Sequence, residues 1–177
     1  LPINYDSIDI EAGHSTSYII TDDGKLYTWG CCQNGRIGQL MIEEDEDIIC
    51  IPTKCYISRY VPISVRSGSV HSCILTDKGK ILSTGHKYYT GHNNNKDEYT
   101  YKIIDSIKDI CFSKISIYSG GYHVLALTNY GHVYSWGLND VSQLGINTES
   151  HCVKTIIDCN PYPEKISLPE KINQRKK

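Results

Sequence analysis

The sequence predicts an all-β protein, a partial β-propeller of about three four-stranded blades. Two observations carry this. The first is an internal repeat: "AGHSTSYIITDDGKLYTWG" (12–30), "SGSVHSCILTDKGKILSTG" (67–85) and "SGGYHVLALTNYGHVYSWG" (119–137) align without a gap. Their opening glycines, Gly13, Gly68 and Gly120, stand 55 and 52 residues apart. The second is composition. The 177 residues include 14 Tyr and many Ile but one Met and one Phe, and β-branched and aromatic side chains suit pleated surfaces.

Each copy reads as a β-hairpin. After the glycine comes an apolar run, "SYIIT", "SCILT" or "VLALT", in which Tyr18/Ile20, Cys73/Leu75 and Leu125/Leu127 hold equivalent alternate positions. Alternate residues share one face of a strand. A turn follows at Asp22-Asp23-Gly24, Asp77-Lys78-Gly79 or Asn129-Tyr130-Gly131. Asp and Asn bond the local backbone there, and Gly accepts positive φ. A second strand then ends at Trp29, Thr84 or Trp136.

Further short apolar runs, "DIICIP", "YVPISV", "YKIID" and "ISIYS", lie between the copies. Two more strands per repeat give four-stranded units of just over 50 residues, the size of a propeller blade. No stretch carries a sustained 3.6-residue period with helix caps. The repeat cores are placed at 12–40, 67–93 and 119–147, within one repeat region over 1–177.

Composition excludes several functions. The net charge is −2 and no basic face stands ready for a run of phosphates, so direct nucleic-acid binding is not expected. No run of 18 apolar residues suggests a membrane span. The start, "LPINYDSIDIEAGH", has no signal-peptide pattern and no initiator Met, and reads as a piece of something longer. The expected location is intracellular, nuclear or cytoplasmic. The eight cysteines have irregular spacings, and Cys50-x4-Cys55 has no partner unit for zinc, so free, mostly buried thiols are expected. No metal and no cofactor is expected.

Candidate chemistry is sparse. His71 and His123 align with Thr16, whereas His14 lies two positions earlier, so the three are not one repeated site. A histidine at a strand entry is read as satisfying local backbone groups. Trp29 and Trp136 are read as packing against a neighbouring strand or blade. "GCCQNGRIG" lacks Gly-x-Gly-x-x-Gly order, a following helix and a Lys-Ser/Thr pair, so it is no nucleotide loop. No catalytic residue is assigned. The acidic run Glu43, Glu44, Asp45, Glu46 and Asp47 is either a solvated loop or an electrostatic contact for a basic partner, and it is the candidate partner-binding site. "GHNNNKDEY" (91–99) is read as a polar insertion with no role of its own.

Taken together, Gly-x-x-His, apolar-x-apolar-Thr, Asp/Asn-x-Gly, Tyr-x-Trp-Gly and Gln-Leu-Gly resemble the repeat of the regulator of chromosome condensation family. Copy three carries it most fully, through Gly120, His123, Leu125, Leu127, Thr128, Asn129, Gly131, Val133, Tyr134, Trp136, Gly137, Asn139, Gln143, Leu144 and Gly145. Copy one has Thr16 in the histidine position. Copy two lacks the Trp and the Gln-Leu-Gly. The resemblance implies a seven-bladed propeller, of which three copies make less than half.

An isolated arc leaves two raw faces, so marginal stability or aggregation is expected. The resemblance also implies function. The leading expectation is a protein–protein interaction segment of a larger regulatory protein, with partners held on variable loops. The alternatives are guanine-nucleotide exchange on a Ran-type small GTPase and substrate recruitment in a ubiquitin ligase. Protein partners, among them a Ran-type GTPase or chromatin proteins, are what the resemblance implies.

Overall fold

A computed structural model describes residues 6–39, 47–146 and 159–168. They form three four-stranded antiparallel sheets, each a meander in chain order. Blade 1 comprises β1 (Ser7–Ala12), β2 (Thr16–Thr21), β3 (Leu26–Cys31) and β4 (Ile48–Cys55). Blade 2 comprises β5 (Pro62–Ser67), β6 (His71–Thr76), β7 (Ile81–Gly85) and β8 (Glu98–Ile103). Blade 3 comprises β9 (Phe112–Ser116), β10 (His123–Thr128), β11 (Val133–Leu138) and β12 (Cys159–Lys165). The repeat hairpins are β2–β3, β6–β7 and β10–β11, and the runs between them are the flanking strands.

The hairpin turns explain the threonine that closes each apolar run. The amides of Thr21, Thr76 and Thr128 donate to the carbonyls of Lys25, Lys80 and His132 at 2.9, 3.0 and 2.8 Å. The hydroxyl oxygens of Thr76 and Thr128 accept from the amides of Lys80 and His132, each at 3.0 Å. One small β-branched side chain therefore satisfies the turn and still fits a strand.

Alternation builds two cores. Tyr18, Ile20 and Leu26 of blade 1 pack with Val65, Ile74 and Leu82 of blade 2. Cys73, Leu75 and Ile81 leave the opposite face of blade 2 and pack with Ile115, Val124, Ala126 and Trp136 of blade 3. Every residue of β6 and β7 is buried. Blade 2 has a neighbour on each side, so both of its side-chain phases are covered.

The outer blades lack that second neighbour among the described residues. Ile10, Ile19 and Tyr27 are cross-strand partners on the far face of blade 1, and Ile10 is 70% exposed. Leu125, Leu127 and Val133, equivalent to the fully buried Tyr18, Ile20 and Leu26, are only half-buried on the far face of blade 3. Same positions, different burial: the neighbouring blade makes the difference.

The cysteines divide. Cys55 and Cys73 are buried thiols, Cys31 and Cys111 are half-buried, and Cys50 is exposed. Burial pushes the Cys55 thiol up to about 12, which leaves it inert as a nucleophile.

Candidate functional site

In a four-stranded meander, the first turn and the long third-to-fourth connection lie at one end. At that end the three blades converge. The Ser69 amide of blade 2 donates to the Gly121 carbonyl of blade 3 at 2.9 Å. The His14 ring of blade 1 lies beside Gly120, with Nδ1 3.9 Å from where a Cβ would stand. Arg36 spans the joint of blades 1 and 2, its Nη1 donating to the Ser69 carbonyl at 3.1 Å and to Ser15 Oγ at 3.3 Å.

The long connections act as latches. Those of blades 1 and 2 pack onto the end of the third strand in the next blade. Thr84 Oγ1 donates to the Gly35 carbonyl of blade 1 at 2.8 Å. Trp136 holds the same position in blade 3, is fully buried, and donates from Nε1 to the Tyr89 carbonyl of blade 2 at 3.1 Å. Gly91 lies against that indole. Copy two therefore keeps its latch without Trp, because a threonine hydroxyl reaches the same carbonyl row.

Two expectations need correction here. "GHNNNKDEY" is not idle. Asp97 accepts from Asn34 Nδ2 of blade 1 at 2.9 Å and from the Lys87 amide at 3.0 Å, and Asn94 Nδ2 donates to Glu98 at 2.7 Å. Its Asp97 carboxylate bonds across the joint to Asn34, which composition could not show. His71 does not satisfy backbone groups either. Its ring is fully buried, and neither nitrogen has a hydrogen-bond partner among the described residues. Burial, with His123 and His86 nearby, holds its pKa down to about 3, so it is neutral. The ring fills space beneath Gly68 and beside Tyr89, whose centroid is 5.8 Å away.

An aromatic cluster continues from His71 to the surface. Tyr89 lies 5.2 Å from Tyr122 and 5.4 Å from His86, and His86 lies 5.2 Å from Tyr88, between ring centroids. Tyr122 is 37% exposed and the nearby Tyr118 77% exposed. Lys87 Nζ sits 5.1 Å from the Tyr88 centroid, within cation–π range. These rings stand in "HKYY" and "IYSGGYH", at positions where the aligned copies differ. Interrupted repeat identity is the signal that marks them, and the sequence reading passed over it.

Of the acidic candidates, Asp47 is described. It is exposed and accepts from Gln33 Nε2 at 2.6 Å. Glu43, Glu44, Asp45 and Glu46 lie outside the described residues. Among the described residues, no three of His, Cys, Asp or Glu are grouped to hold a metal ion, and no helix is long and apolar enough to cross a membrane.

The blade geometry has a known counterpart. The description "Regulator of chromosome condensation (RCC1) repeat" matches residues 8–36 and 115–143, and a second of the same wording matches 130–175. The chain belongs to the RCC1 repeat family. Human E3 ubiquitin-protein ligase HERC2 is 28% identical over 149 residues, covering 80% of this chain and 3% of that protein. Guanine nucleotide exchange factor SRM1 of Saccharomyces cerevisiae is 28% identical over 151 residues, covering 77% and 31%.

Solved structures superpose well on the chain. Human WBSCR16 gives a TM-score of 0.78 at 18% identity, covering 95% of this chain and 42% of that one. Prp20p of Saccharomyces cerevisiae, described with its binding to Gsp1p and histones, gives 0.74 at 22%, covering 92% and 38%. The chain thus spans a minor part of these RCC1 relatives and neighbours.

Proposed function

We propose that this chain is a protein–protein interaction segment of a larger regulatory protein, and that it binds partners through the end where its long connections gather. One observation carries the reading. Most residues shared by the copies build the strands, turns and joints of the blades, whereas positions where the copies differ expose Tyr118 and Tyr122 and place the half-buried Tyr88 and His86 beside Tyr89. Tyrosine supplies large contact area at low entropic cost and is enriched in binding hot spots. Fold and function are separable on such scaffolds, with recognition carried by the loops.

The RCC1-type relatives support protein partners in general. Guanine-nucleotide exchange on a Ran-type GTPase is the second reading, favoured by the similarity to SRM1. Substrate recruitment in a ubiquitin ligase is favoured by the similarity to HERC2. An intracellular setting, nuclear or cytoplasmic, goes with all three.

The test is cross-linking capture with the full-length protein, comparing wild type with Tyr118→Ser/Tyr122→Ser. The reading requires specific partners that the double variant loses while its melting temperature stays unchanged. Capture that is indifferent to these tyrosines would remove it.

A further inference from the structure

Asn34-Gly35 is the one Asn-Gly dipeptide in the 177 residues. It stands at the joint of blades 1 and 2, in the latch that Thr84 holds. Such a pair carries a reactivity of its own. The amide nitrogen that follows an asparagine can attack the side-chain carbonyl carbon, and a glycine, having no Cβ, leaves that approach open.

The fold ties down the atoms this reaction needs. Nδ2 of the half-buried Asn34, the leaving nitrogen, donates to Asp97 Oδ2 at 2.9 Å. Oδ1 accepts from Arg36 Nη2 at 3.3 Å. The Gly35 amide nitrogen, the nucleophile, donates to the Cys32 carbonyl at 3.0 Å. Asn34 is in left-handed backbone, with φ 58° and ψ 12°, which asparagine tolerates better than most residues. With ψ near zero the Gly35 nitrogen is turned away from the asparagine side chain, so ring closure first requires rotation about that bond.

Gly35 has no room for the rotation while the joint is closed. A Cβ on it would lie 2.3 Å from the Glu98 carbonyl oxygen and 2.6 Å from Tyr99 Cα. Its own carbonyl accepts from Thr84 Oγ1 at 2.8 Å.

We propose that Asn34 is a deamidation site gated by the joint of blades 1 and 2, and that its modification prevents the opened joint from reclosing. The Gly35 nitrogen bonds to Asn34 Cγ and gives up its proton. The Cγ–Nδ2 bond breaks, and Nδ2 takes that proton and leaves as ammonia. Water, the one co-reactant, then opens the resulting imide at either carbonyl and leaves aspartate or isoaspartate at position 34. No oxidant or reductant enters.

The product does not fit the place that asparagine held. Two carboxylates now meet where a donor met Asp97, and like charges repel. Arg36 Nη2 stays beside Oδ1 and offsets part of this. Isoaspartate also lengthens the backbone by one atom, at a point where Gly35 is pressed against Glu98. Local opening is reversible and the modification is not, so the site records time spent open. This inference is independent of the tyrosine-bearing end.

Peptide mapping by mass spectrometry of the full-length protein, incubated at constant pH, tests the gate. Wild-type Asn34 should persist far longer in native buffer than in unfolding urea. Asp97→Ala should speed the native reaction by about tenfold, the population change that goes with losing a hydrogen bond to a charged group. Thr84→Val loosens the same latch without touching Asn34 and should act in the same direction. In unfolding urea all three proteins should react at one rate, because the dipeptide is unchanged. The wild-type rate should also climb through sub-denaturing urea, a measurement that needs no variant.

Equal native and unfolded rates in wild type overturn the gate. So do variants that are folded by circular dichroism yet react at the wild-type rate, or a wild-type rate that stays flat through sub-denaturing urea. The block on reclosing is read by hydrogen exchange of amides 33–38. Asn34→Asp should lose protection there, and adding Asp97→Asn should restore it by returning one donor and one acceptor. A double variant no better protected than Asn34→Asp overturns that half of the proposal.

Discussion

The indole N–H of Trp136 donates to the carbonyl oxygen of Tyr89 at 3.1 Å, and the two residues belong to different blades. This contact couples a strand end to the latch of the preceding blade. Its aromatic body fills the core shared by blades 2 and 3. Trp136→Ala is expected to cost about 3–5 kcal/mol, the range for emptying a buried aromatic site. Trp136→Phe should cost less, because most of the volume stays while the Tyr89 carbonyl loses its donor. Urea denaturation of both variants gives the ranking, and equal losses would mean that volume is not the dominant contribution.

Two glycines in left-handed backbone should respond differently to alanine. Gly35 has φ +75°, and a Cβ there would land on the Glu98 carbonyl across the joint of blades 1 and 2. Gly131 has φ +81° but open space around it. Gly131→Ala is expected to cost about 1–2 kcal/mol, the price of left-handed conformation alone. Gly35→Ala must also displace backbone and should cost distinctly more. Thermal melts of the pair decide it, and matched melting temperatures would contradict the tight joint.

The joint of blades 1 and 2 also carries a carboxylate whose role goes beyond an ion pair. Asp9 accepts from Arg66 Nη1 and from the Val65 amide, both at 2.9 Å. Arg66 is part-exposed, so Arg66→Ala should cost no more than about 1 kcal/mol, and less in high salt. Asp9→Ala strands a part-buried amide as well and should cost about 1–3 kcal/mol. A salt titration of both variants separates the screened part from the unscreened part.

Stability should depend on pH through His71. Its folded-state pKa is held down to about 3 from an ordinary 6.5, by burial first and by His123 and His86 after it. Above about pH 6.5 the ring is neutral in both folded and unfolded chains and adds no pH dependence. As pH falls from there towards 3 the unfolded chain takes the proton and the folded chain does not, so stability drops by up to about 1.4 kcal/mol per pH unit. His71→Phe should flatten that part of the profile. Denaturation midpoints at a series of pH values check this, and an unchanged slope in the variant would exclude His71 as the source.

The strands and the hairpin turns were legible because period-two alternation and Asp/Asn-x-Gly turns are local signals. Tyr18/Ile20 and Cys73/Leu75 fell on buried faces for that reason. The joints were not legible. Thr84 stands where the other copies have Trp, and nothing local shows that its hydroxyl reaches Gly35 of another blade. The 91–99 segment looked idle because its partners, Asn34 among them, are up to 63 residues away. The proposed interaction surface was half-hidden for a related reason. Tyr88 and Tyr122 are 34 positions apart in sequence, and only the stacking of two blades brings both against Tyr89.

The most direct test of the central claim, an RCC1-type scaffold that binds protein without performing exchange, is the rate of labelled GDP release from a Ran-type GTPase in the presence of the full-length protein. The account predicts release at the intrinsic rate, even at concentrations where partners are captured through the tyrosine-bearing end. Release accelerated by the protein in proportion to its concentration would contradict it and make the exchange reading the correct one.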